Sequence, residues 1–372
     1  MSVSERIRNL ADGASWLWMS SRAQALGFLV ATIVGAIAVA VVETRGLWKL
    51  AGETELAEPN TASYLRLLKT ATAAYDSSNR VPLVTLIGGS AIRELSADDE
   101  FFSRQLSAAC GTKVRFVNLG SSIQTFNESW ALAVLAPADQ RHLVVFGLSP
   151  VRMDADPATV LGSLGREPMG LPATLSLKMH LAAWTGRIPN WFDSISVLRR
   201  LDALGLKWSL ADLFRARGPV SPLEPAADPY QAARSIYVPP VLSLKGKQEQ
   251  SEEYIAWRGD SIRWHAPEAT RMWAVLANLL QSGGSRVAFL VPPQDKVFEV
   301  VDKWLDGTFD RSVAQLARSF PVLDLRSAQG LEADDFYDLQ HLVASGRRKL
   351  HPQLLDAILG QIDCESLRRH SR

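Results

Sequence analysis

Residues 82–90 read PLVTLIGGS. A short apolar, β-rich run closes on two glycines and a serine, and residues 91–95, AIREL, look like the first turns of a helix. The same rhythm returns in KVRFVNL (113–119), HLVVFGL (142–148), RVAFLV (286–291) and PVLDL (321–325). Near-continuous apolar runs of this length suit strands covered on both faces, as in a parallel sheet. Helix-like stretches lie between them at Ala91–Ala108, Asn127–Leu135, Thr270–Leu280 and Phe298–Ala317. Strand then helix, repeated, predicts right-handed βαβ crossovers and a three-layer α/β domain with a central parallel sheet over residues 81–372. The interval from about 155 to 280 breaks the rhythm. It holds the Pro-rich passage Pro219–Pro240 and Trp184, Trp191, Trp208, Trp257 and Trp264, and is read as a helical insertion over one sheet edge.

Ahead of this domain, Ala23–Val42 runs for twenty residues without a charge. At 1.5 Å per residue that length matches the roughly 30 Å hydrocarbon core of a bilayer. Trp16 and Trp18 precede it and Trp48 follows, as interfacial belts do. Arg6, Arg8 and Arg22 lie before it, against Arg45 and Lys49 after it. The bias predicts a cytoplasmic segment 1–22, a transmembrane helix 23–42, a polar connector 43–80 and an extracytoplasmic domain. A signal peptide cleaved after Ala38-Val39-Ala40 and a buried core helix are the alternatives, disfavoured by the long polar leader and the lack of a polar face. A net charge of +1 without a basic run leaves nucleic-acid binding no electrostatic footprint. Cys110 and Cys364 are the only cysteines, and a disulfide or two separate buried thiols fit them equally.

In an open parallel sheet, ligands bind outside the carboxyl ends of the strands. The five runs are followed by Gly88-Gly89-Ser90, Gly120-Ser121-Ser122, Ser149-Pro150, Pro292-Pro293-Gln294 and, past a short loop, Asp338-Leu339-Gln340-His341. Small residues, hydroxyls and an Asp/His pair thus share one rim. Ser90 reads as a nucleophile or as the N-cap of the next helix. Asp338, three residues before His341, reads as the group that sets its tautomer or as half of a surface pair. No His or Cys spacing suggests a metal site. Arg152, just past Ser149-Pro150, is placed to meet an anionic substrate, and the tryptophans of the insertion invite sugar stacking or a plain core role.

Ser90 in LIGGSAIREL, Gly120 in FVNLGSS and the Asp338/His341 pair in DFYDLQHLVASGRRKL resemble the first, second and fifth blocks of the SGNH (GDSL-like) hydrolases. The resemblance covers most of residues 81–160 and 285–355 and implies a flavodoxin-like three-layer domain. Within the superfamily, VVFGLSPVRM and Phe-Tyr-Asp-x-x-His-Leu look like membrane-anchored DltD-type proteins, which act in D-alanylation of teichoic acids, with alginate O-acetylation proteins a near second. It implies that Ser90 attacks an ester, His341 serves as general base and then acid, and Asp338 orients His341. The backbone N–H groups of Ser90 and Gly120 would form part of the oxyanion hole. The third block departs: Gly147-Leu148-Ser149 stands where the superfamily has Gly-x-Asn. Loss of one oxyanion donor costs about 10²–10³ in rate, and the Ser149 hydroxyl is the substitute at hand. The implied function is that of an acyl esterase or O-acyltransferase on a cell-envelope polysaccharide or teichoic-acid-like polymer, working through an acyl-enzyme without a cofactor. Its partners would be an acyl donor and an integral membrane acyltransferase. A non-catalytic envelope protein that keeps the scaffold to bind polymer or a partner is the competing expectation.

Overall fold

The five apolar runs form five parallel strands, β1 (Leu83–Ile87), β2 (Arg115–Asn118), β3 (His142–Gly147), β4 (Arg286–Val291) and β5 (Val322–Asp324). They lie in the order β2-β1-β3-β4-β5, the 2-1-3-4-5 order of doubly wound sheets of the flavodoxin type. In register, Leu83 pairs with Arg115 on one side and His142 on the other, and Leu143 pairs with Arg286. The structure, a computed structural model, describes residues 81–163 apart from 97, 122, 123, 137 and 138, residues 240–370, and residues 26, 27, 30, 67, 70, 71, 74, 75 and 177. The chain divides into Met1–Leu50 and Ala51–Arg372, and the sheet belongs wholly to the second unit.

Ten described helices follow the strands in chain order: α1 (Ser90–Arg93), α2 (Asp99–Cys110), α3 (Phe126–Val134), α4 (Pro157–Ser163), α5 (Leu244–Tyr254), α6 (Asp260–Ser282), α7 (Glu299–Trp304), α8 (Thr308–Ala317), α9 (Ala344–Leu359) and α10 (Cys364–His370). Because side chains alternate along a strand, the sheet buries two apolar faces. Val84, Leu86, Val145 and Leu290 meet Phe102 and Leu106 of α2 and Leu350, Leu354 and Ile358 of α9. On the other face, Phe146 and Phe289 meet Trp273 of α6 and Phe320. Helices on both faces of a parallel sheet are compatible with a three-layer α/β domain.

Several predicted boundaries move, each for a local reason. The helix expected over Ala91–Ala108 is two, because Asp98 turns its carboxylate onto the N–H of Phe101 and caps α2 afresh. The helix expected over Phe298–Ala317 breaks where Asp306 and Gly307 take the left-handed conformation at φ 51° and 64°. Thr270–Leu280 belongs to a longer helix, α6, which runs through Pro267. The insertion read as extending to about 280 therefore ends too late, since Met272, Trp273 and Leu276 are core residues. Ala71, Ala74 and Tyr75, in the stretch read as a connector, are buried, and the Tyr75 hydroxyl donates to the Leu132 carbonyl at 3.2 Å.

Cys110 and Cys364 form a disulfide with Cα atoms 4.8 Å apart, tying α2 to α10. Among the described residues no helix is long and apolar enough to cross a membrane. Of segment 23–42 they include only Leu26, Gly27 and Val30, so the expected span otherwise lies outside them, as do Trp184, Trp191 and Trp208.

Candidate active site

β1 has β2 on one side and β3 on the other, so its carboxyl end is the point where the strand order reverses and crevices form. Ser90 sits there as the first residue of α1, and Gly89 takes the N-cap position. Ser90 therefore does not occupy the cap position; its Oγ lies 2.7 Å from His341 Nε2. The far nitrogen of the ring, Nδ1, is 2.7 Å from Asp338 Oδ2. With the Asp338 carboxylate accepting the Nδ1 proton, the ring holds the tautomer in which Nε2 accepts from Ser90. Asp338 and His341, read from sequence as a triad half or a surface pair, and Ser90, 251 residues away, thus form one hydrogen-bonded line.

The local chain accounts for this geometry. Asp338 Oδ1 accepts the N–H groups of Gln340 and His341, each at 2.8 Å, an Asx turn that folds the carboxylate back toward the histidine. The turn is closed by the N–H of Tyr337 donating to the His341 carbonyl at 3.0 Å and by a bridge between Phe336 and Leu342. Below it, Asp335 accepts from Ser345 Oγ at 3.0 Å and Lys349 Nζ at 2.7 Å. A buried lysine holds the other side: Lys247 Nζ on α5 donates to Asp295 Oδ2 at 2.7 Å and to the carbonyls of Ala333 and Phe336 at 2.7 and 3.0 Å.

Burial alone would lower the pKa of His341, yet the hydrogen bond and charge of Asp338, joined by the charge of Glu94, hold it above the ordinary imidazole value. Burial would likewise raise Asp338, but its bonds to His341 and the turn N–H groups keep it below the usual carboxylate range. The Tyr337 ring stacks on His341, and its hydroxyl donates to Glu94 Oε2 at 2.8 Å. Arg93 donates to the other oxygen of Glu94, 2.9 Å away. Glu94 has no role in the sequence reading, and Tyr337 enters it only as part of the Phe-Tyr-Asp-x-x-His-Leu segment; the signal available was an acid capping the helix after β1 and an aromatic beside Asp338.

The expected oxyanion donors fare unequally. No backbone hydrogen bond joins the Ser90 N–H to another described residue. Gly120 is a correction: its N–H donates to Asn118 Oδ1 at 2.9 Å. Asn118 Nδ2 in turn donates to the carbonyls of Ile92 and Arg93 and to Ser96 Oγ. The reason for glycine at 120 is packing, since a Cβ there would meet the backbone N and Cα of Arg93 at 2.7 Å. Asn118, a polar residue ending an apolar run, thus fastens α1 to β2, and sequence reasoning passed over it. Ser149 lines the same cleft as Ser90 and His341.

That cleft has a volume of about 540 Å³, in the range of small-molecule sites. Arg152 reaches its wall, but its guanidinium is committed inward, donating to the Gln124 carbonyl at 2.9 Å and to Ser129 Oγ and lying over the Trp273 ring. Burial lowers its pKa to about 10, against an opposing pull from Glu128. Arg152 therefore braces the wall, and the expectation that it presents a charge to substrate is revised. No protein-family model matches the sequence, and no curated protein matches it.

Proposed function

We propose that this chain is a membrane-anchored, extracytoplasmic SGNH-like acyl esterase or O-acyltransferase acting on a cell-envelope polymer. The observation that carries the reading is the unbroken line Asp338–His341–Ser90, with 2.7 Å at each contact. As Ser90 Oγ attacks the acyl carbonyl, its proton passes to His341 Nε2, and Asp338 stabilises the imidazolium. The carbonyl oxygen becomes an oxyanion, met by the Ser90 N–H and, in this reading, by the Ser149 hydroxyl. Collapse expels the leaving alkoxide, which takes the proton from His341 and leaves an acyl ester on Ser90. Water or a polymer hydroxyl then gives its proton to His341 and attacks that ester, and Ser90 is restored. An integral membrane acyltransferase as acyl supplier completes the proposal.

The Cys110–Cys364 disulfide supports an oxidising compartment, and the apolar stretch 23–42 supports the anchor. One observation favours a second, non-catalytic reading: the Gly120 N–H is already engaged, and the third-block Asn is replaced by Ser149. Full-length protein in mild detergent, treated with a serine-reactive fluorophosphonate and with a chromogenic acetyl ester, separates the two. Labelling and turnover that vanish in Ser90→Ala support the enzyme; equal behaviour of both proteins removes it.

A further inference from the structure

Beyond Ser90, the cleft reaches a cluster that the triad does not use. Helix α5 passes into α6 through one π-helical turn, Ile255–Gly259. Such wide turns carry an extra residue and recur at functional sites. This one sets Trp257 in the wall of the cleft that contains Ser90 and His341, with the indole residue 68% exposed. The guanidinium of Arg258 covers the ring at 4.1 Å from its centroid. Arg258 is itself fixed, donating to Asp154 Oδ2 at 2.6 Å. The Asp154 carboxylate, a buried group, also accepts from Ser261 Oγ and lies 3.0 Å from His265 Nδ1. Trp264, two turns further along, is 80% exposed.

An indole braced in this way loses little freedom when a ligand lies against it, and Trp257 is both exposed and part of the cleft's lining. The charge of Arg258 is matched by Asp154, so the platform offers a flat π-surface and not an anion site. A pyranose ring, with a face of C–H bonds and a rim of hydroxyls, fits such a surface; a glycerol-phosphate chain has neither ring nor neutral face. We propose that Trp257, positioned by Arg258 and Asp154, is the stacking platform for a pyranose unit of the polymer whose hydroxyl exchanges acyl groups at Ser90. The inference rests on the acyl-transfer reading of the cleft and selects, between polysaccharide and teichoic-acid-like polymer, the polysaccharide.

Isothermal titration of the full-length Ser90→Ala protein in detergent tests it, with cellohexaose, chitohexaose and hexamannuronate as ring-bearing probes and poly(glycerol phosphate) as the ring-free one. We expect at least one hexasaccharide to bind, Trp257→Ala to weaken it tenfold or more, and Trp257→Phe to restore part of the loss, with unchanged melting temperatures. Binding indifferent to Trp257→Ala overturns the proposal, as does failure of every hexasaccharide to bind or equal Trp257-dependent binding of poly(glycerol phosphate). Fluorophosphonate labelling of the wild type is scored separately. Its absence with hexasaccharide binding intact would sink the catalytic reading and leave Trp257 as a sugar platform in a binding protein.

Discussion

Tyr337 lies flat against His341, with ring centroids 5.3 Å apart and planes 7° from parallel, while its hydroxyl reaches Glu94, the C-cap of the helix that begins with Ser90. One side chain thereby spans from the histidine to the element carrying the candidate nucleophile. Tyr337→Phe keeps the ring and leaves Glu94 Oε2 without this donor, a change worth about 1–3 kcal/mol when the group is buried. Thermal unfolding should register that loss, with fluorophosphonate labelling slowed modestly. Tyr337→Ala removes the ring too and should slow labelling much further. Equal labelling rates for the two variants would show that the stacking does not position His341.

The pH dependence has a definite sign. His341 must be neutral to accept the Ser90 proton, and its pKa is raised in the folded protein. The labelling rate should therefore climb with pH through a midpoint above about 6.5, the ordinary imidazole value. Asp338→Asn removes the main raising influence, so its midpoint should fall, with a plateau lower by a factor on the order of 10⁴. Stability follows the same pair. The His341 contribution is full below its unfolded pKa and is lost as pH rises through the folded one. The Asp338 contribution is present above its unfolded pKa and is lost as pH falls through its depressed folded value. A wild-type rate profile midpoint at or below 6.5 would contradict this account.

Gly120→Ala drives a methyl group into the backbone of Arg93. Backbone cannot rotate aside as a side chain does, so α1 must shift at a cost of about 1–3 kcal/mol. Because Ser90 leads that helix, labelling should drop at least tenfold while far-UV circular dichroism holds. Normal labelling in a folded Gly120→Ala protein would mean that the close approach has no bearing on Ser90.

Lys247→Met keeps the bulk of a long side chain and strips the buried Asp295 of its ion-pair partner, both groups being almost wholly enclosed. Removing one member of such a pair costs about 3–5 kcal/mol. The double change Lys247→Met with Asp295→Leu should recover much of that, and chemical denaturation of the single and double variants measures it.

The disulfide closes a loop of 254 residues in sequence. Constraint of the unfolded chain over that length is worth on the order of 5 kcal/mol in the entropic treatment. Cys364→Ser should lower the denaturation midpoint accordingly, and a reductant should lower that of the wild type but not of the variant.

The sheet was legible because its strands are buried on both faces and so stand out as unbroken apolar runs; all five fall where the runs lie. The helix ends were less so, since Asp98 and Gly307 act through capping and left-handed backbone, which hydrophobic periodicity does not register. The residues that meet at the site followed from strand-end chemistry, as Ser90, Asp338 and His341 show. What escaped was the buried polar support: Asn118, Glu94, Tyr337 and Lys247 act on partners far off in sequence, or on backbone groups that carry no side-chain signature. The same holds for Gly120, whose need for glycine lies in the approach of Arg93.

Asp338 and His341 find each other within a three-residue turn, whereas Ser90 lies 251 residues from His341 and meets it only through the sheet. The first contact is a matter of local chain chemistry and the second of global architecture. If Ser90 is the nucleophile proposed above, its reactivity is a reporter of finished tertiary assembly. Probe reactivity during refolding should return with the last cooperative step, after helical signal has recovered, and so offers a readout of folding that needs no knowledge of the natural substrate.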